Sequence, residues 1–61
     1  MWSKGDRVVL VHCADPHTNL KPGDTGTVRI VDGLGTVHVA WDSGSRLGIC
    51  EDAGDAIRPE I

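Results

Sequence analysis

Lys21-Pro22-Gly23-Asp24-Thr25-Gly26-Thr27-Val28 is the stretch on which the architecture turns. It reads as a tight Gly-Asp turn launching a strand rich in β-branched residues. An echo stands upstream at Lys4-Gly5-Asp6-Arg7-Val8. Two such launches in 61 residues, followed by Val37-His38-Val39-Ala40-Trp41-Asp42-Ser43-Gly44, predict a small barrel of short antiparallel strands. The echo is repeated turn chemistry rather than an internal duplication.

Outward from that stretch, the rest of the chain falls into place. Asp6 to His12 is the first strand. Val8 and Leu10 share one face and Val9 and Val11 the other, so periodicity does not choose the buried side. Cys13 to Asp24 is a long loop built from Asp15-Pro16, Asn19 and Pro22-Gly23-Asp24, with Leu20 as an apolar anchor. Thr25 to Asp32 is the second strand, with Gly26, Val28 and Ile30 inward and Thr27, Arg29 and Val31 toward solvent. After the turn at Asp32-Gly33-Leu34-Gly35, Thr36 to Asp42 alternates cleanly, with Val37, Val39 and Trp41 inward. A second turn at Asp42-Ser43-Gly44-Ser45 leads to a fourth strand, Arg46 to Cys50, which sets Leu47 and Ile49 on the face opposite Arg46, Gly48 and Cys50. Glu51 to Ala56 makes a turn of helix, and Ile57-Arg58 a short fifth strand that Pro59 confines to an edge. The expected fold is all-β: a small five-stranded SH3-like barrel, one domain over residues 1–61, with loops at 13–24, 32–35 and 42–45.

Size and charge bound what such a domain does. A chain this short buries only about 60% of its unfolded surface, and a core drawn mostly from Val, Ile and Leu contributes at most about 3–5 kcal/mol of net stability. Weak self-association fits so light a core. Nine acids against six bases give a net charge of −3, which argues against broad nucleic-acid binding. With no charged-then-apolar leader and no apolar run of about 20 residues, the expectation is a cytoplasmic protein without a membrane partner.

The spaced residues from Lys4-Gly5-Asp6-Arg7-Val8, through Leu20-Lys21-Pro22-Gly23-Asp24 and Gly26-Thr27-Val28, to Leu34-Gly35, Val37-His38-Val39, Trp41-Asp42, Gly44-Ser45 and Leu47-Gly48 carry a resemblance. They resemble a small bacterial and mobile-element domain family of unknown function. That resemblance implies an SH3-like barrel and brings no activity. Gly26-Thr27-Val28 with Val37, Val39, Trp41-Asp42 and Gly44-Ser45 is more loosely similar to the Mib/Herc2 domain of ubiquitin ligases, which implies peptide recognition. Gly5-Asp6-Arg7-Val8 and Gly23-Asp24-Thr25-Gly26-Thr27-Val28 resemble the KOW element of ribosomal and elongation proteins. Asp15, His17, Thr18 and Asn19 stand where those nucleic-acid binders carry basic residues.

His12, Cys13, His17 and Cys50 are zinc-ligand types, but His12 and Cys13 are chain neighbours whose side chains point to opposite faces, and no Cys-x-x-Cys pair is present. No metal or other cofactor is expected. Cys13 and Cys50 read as two thiols rather than a disulfide, in keeping with a reducing compartment. Asp6 and Asp24 read as turn residues that accept backbone N–H groups, and no nucleophile and base are set for catalysis. Trp41 belongs to the core. Trp2 either covers the open end of the barrel or sits at an interface, and His38 is the residue best placed for a pH-sensitive surface contact. These readings converge on a non-catalytic module for a protein or peptide partner. Its contact residues are expected at His17, Asn19 and Lys21 of the long first loop and at the nearby Leu34 turn. The alternative is KOW-like nucleic-acid binding through Lys4, Arg7, Lys21, Arg29 and Arg46.

Overall fold

The computed structural model describes residues 2–14 and 18–61. Five strands, β1 (Arg7–His12), β2 (Thr25–Val31), β3 (Val37–Trp41), β4 (Gly48–Ile49) and β5 (Ala56–Pro59), form one antiparallel sheet in the order β4-β3-β2-β1-β5. A single 3₁₀ turn, Glu51–Ala53, precedes β5. The domain is all-β with five strands, as the alternation predicts. Its edges are β4 and β5, and no ladder joins them among the described residues. No helix is long and apolar enough to cross a membrane among those residues.

The two Gly-Asp turns are built alike. In each, the aspartate N–H donates to the carbonyl three residues back, Asp6 to Ser3 and Asp24 to Lys21, both at 3.0 Å. The same aspartate's Oδ2 accepts the N–H of that earlier residue, at 2.8 Å from Ser3 and 3.0 Å from Lys21. Gly5 and Gly23 supply the positive φ between them, 92° and 97°. The echo in the sequence is thus one turn used twice, and both carboxylates are structural.

Val8, Leu10, Leu20, Val28, Val37, Val39, Trp41, Ile49 and Ile57 form the core. Trp41 is 3% exposed and its indole N–H donates to the Leu47 carbonyl at 3.0 Å, so burial leaves no polar atom unpaired. Leu20 is buried and pins the long loop. On β1 the inward pair is Val8 and Leu10, a choice that periodicity left open.

Two expectations are corrected. Ile30, read as inward, is 59% exposed, while Val31 packs against the core. The cause is a bulge: Val28 pairs with Val39 but Ile30 pairs with His38, so Arg29 is an extra residue and every later side chain changes face. The fourth strand is also shorter than Arg46–Cys50, because only Val37 and His38 on β3 find partners, at Ile49 and Gly48.

Candidate functional site

The bulge turns Arg29 and Ile30 outward together, beside the N-terminal turn. Gly5 N–H donates to the Val28 carbonyl and Val28 N–H to the Asp6 carbonyl, both at 2.8 Å. That stitching lays Lys4 and Gly5 alongside the bulge. An open concavity of about 540 Å³ lies there, lined by Lys4, Thr27, Arg29, Ile30, His38 and Ala40 among others. His38 Nε2–H donates to Asp32 Oδ2 at 2.9 Å. This bond first, then the N–H groups of Thr36 and Leu34, holds the Asp32 carboxyl below the usual carboxylate range. Asp32 also caps the β2–β3 turn, at whose tip Leu34 stands 90% exposed.

A second cluster crosses the outer face of the sheet. The Arg7 guanidinium grips Asp42 with two bonds of 2.8 and 2.6 Å, donates from Nε to Glu60 at 2.9 Å and reaches Thr27 Oγ1 at 3.0 Å. Thr25 Oγ1 adds a 2.6 Å bond to Asp42. Arg7, then Thr25, holds Asp42 far below the ordinary carboxylate range, and the two acids push the Arg7 guanidinium further up. Beside it a concavity of about 550 Å³ is lined by Trp2, Asp6, Arg7, Pro59 and Glu60. Trp2 is half-buried, packs against the core and forms one wall of this opening.

A third cluster ties the start of the long loop to the turn before β5. Asp55 accepts the N–H of Ala14 at 2.8 Å and of Cys50 at 3.0 Å, and His12 Nδ1–H donates to the Gly54 carbonyl at 3.1 Å. Burial raises the Asp55 carboxyl, but the N–H groups of Ala14 and Cys50 and the Cys13 thiol outweigh it, so the net direction is down. Both cysteines are free thiols, and no group of metal-ligating side chains forms among the described residues.

The expected contact residues that are described lie at both ends of β2. His17 lies outside the described residues. Asn19 and Lys21 are exposed in the loop that precedes Thr25, at one end of β2. Leu34 follows Val31, at the other end. Seven strand residues separate the two ends, roughly 20 Å, so Leu34 stands at the opposite end of β2 from the turn that Lys21 opens. The bases are similarly spread. Lys4 and Arg29 flank the first concavity, Arg7 is bound by acids, Lys21 stands at the far end of β2, and Arg46 and Arg58 are exposed elsewhere. Sequence reasoning passed over the pairing of Arg29 with Ile30, because alternation sets neighbours on opposite faces.

The molecule is thus a small all-β domain of five antiparallel strands, in which Arg7, Asp32, Asp42 and Asp55 hold strands and turns together. It belongs to the family described as Domain of unknown function (DUF4314), whose model matches residues 1–58. Neither the curated proteins nor the solved structures contain a match to it.

Proposed function

We propose that this domain is a non-catalytic protein-interaction module whose contact surface lies at the β2–β3 hairpin end. One observation carries the reading: Ile30 and Leu34, at 59% and 90% exposed, stand on the hairpin that also bears Arg29 and His38. Exposed aliphatic side chains beside Arg29, which enters no ion pair among the described residues, make a surface that gains by being covered. The non-catalytic part draws support from the carboxylates, since Asp32, Asp42 and Asp55 are each taken up by backbone or side-chain donors within the fold. The spread of the bases over several faces weighs against nucleic-acid binding.

Affinity capture from a lysate of the source organism, after nuclease treatment, tests the proposal. The Ile30→Ser/Leu34→Ser double variant is expected to lower recovery of the partner about tenfold. Asn19→Ala/Lys21→Ala should leave recovery unchanged. The opposite pattern would move the contact surface to the long loop, and capture abolished by nuclease would favour the nucleic-acid reading.

A further inference from the structure

The chain carries a net charge of −3, yet the fixed charges lining the first concavity, Lys4 and Arg29, are both positive. The ion pairs among the described residues are Arg7–Asp42, Arg7–Glu60 and His38–Asp32, so Lys4 and Arg29 enter none of them. No acid lines this opening. Of the carboxylates on the adjoining turns, Asp32 already accepts from His38 and from two backbone N–H groups, and Asp6 accepts the Ser3 N–H. Two cations left without a counter-charge on an acidic protein mark a place where the complementary charge comes from outside. The exposed side chain of Ile30 lines the same opening, with Ala40. An aliphatic contact is therefore part of the same site.

We propose that this concavity seats an acidic peptide segment bearing an aliphatic side chain, its carboxylates on Lys4 and Arg29 and its aliphatic group on Ile30. The inference rests on reading this face as a protein-interaction surface and adds the chemistry of the partner. The opening is shallow and unenclosed, which suits a few residues of an extended chain better than a small metabolite. A phosphate backbone fits it less well. Nucleic-acid binders commonly neutralise several phosphates and stack bases on aromatic rings, whereas the only ring here is His38, already held by Asp32.

The test is an NMR titration of the full ¹⁵N-labelled chain with four probes. These are a short peptide of interspersed Glu and Leu, its Lys and Leu counterpart, its Glu and Ser counterpart, and a short oligothymidylate. The Glu/Leu peptide is expected to shift the amides of Gly5, Thr27, Arg29, Ile30 and Ala40 saturably, and to bind several-fold more tightly than the Glu/Ser peptide. The Lys4→Glu/Arg29→Glu variant should lower its affinity about tenfold. Lys4→Gln/Arg29→Gln gives a milder loss and serves if charge reversal disturbs the fold. Equal binding of the Lys/Leu peptide at the same amides would overturn the acidic partner and leave the interaction surface standing. Tighter binding of oligothymidylate than of the Glu/Leu peptide would overturn the proposal in favour of nucleic acid. Unshifted amides with every probe would overturn both the partner chemistry and the surface.

Discussion

Gly26 sits where β1, β2 and β3 come together, paired with Val8 on one side and Trp41 on the other. A Cβ there would lie 2.6 Å from Val39 Cγ1, 2.9 Å from the Ala40 carbonyl oxygen and 3.0 Å from the Trp41 Cα. Two of those three neighbours are backbone, so the site has little freedom to give way. Gly26→Ala is expected to cost about 1–3 kcal/mol through overpacking, and each kcal/mol lowers the melting temperature by roughly 4–8 °C in a domain of this size. Gly33 offers the control, since a Cβ there meets nothing within 4 Å. Gly33→Ala should melt within a degree or two of the parent or slightly above it, because alanine narrows the unfolded ensemble. Calorimetry on the two variants checks both, and equal melting temperatures would refute the account of Gly26.

The β2–β3 hairpin shows what alternation reveals and what it hides. Strands, turns and the inward set Val37, Val39 and Trp41 follow from residue type and period, and all are observed. The bulge at Arg29 does not follow from period, because Ile30 and Val31 are both apolar and either suits the inward position. A signal was nevertheless present in the turn. Asp32 pairs with Thr36 across a three-residue loop with Gly35 at φ 84°, which sets Val31 opposite Val37. Counting from Gly26 opposite Trp41 sets Val28 opposite Val39. The two counts differ by one residue, and the bulge absorbs the difference. Candidate contact residues were harder to read, since Asn19, Lys21 and Leu34 are loop residues whose separation only the strand order reveals. The turn itself hangs on Asp32, which accepts from Leu34, Thr36 and His38. Asp32→Ala should speed amide exchange at Leu34 and Thr36 while leaving Val8 and Leu10 protected. A uniform change across the chain would mean that the hairpin has no separate stability.

Nine core residues hold the domain together, and one of the most deeply buried, Ile49, sits on a strand of only two residues. Ile49→Ala removes about 2–5 kcal/mol, against at most about 3–5 kcal/mol that a core of this size supplies. Circular dichroism at room temperature should therefore find this variant largely unfolded, and Leu34→Ala folded. Outside the core, charge shares the task of holding strands: Arg7 on β1 reaches Glu60 just beyond β5, Thr27 on β2 and Asp42 at the end of β3. This clasp and the Asp32 and Asp55 clusters all lower carboxyl pKa values in the fold. A carboxyl lowered in the folded state binds protons more readily in the unfolded chain, so its contribution is complete above the unfolded value of about 3.9. It is lost as the pH falls through that value toward the folded one. Urea melts should thus show no loss from these groups between pH 7 and pH 5, then a steady decline below about pH 4. Arg7→Gln should lower stability at neutral pH and flatten the acid decline, because Asp42 then titrates closer to its ordinary range. If the variant and the parent lose stability with the same slope below pH 4, the acid sensitivity belongs to Asp32 and Asp55, and the clasp across the sheet contributes little to it.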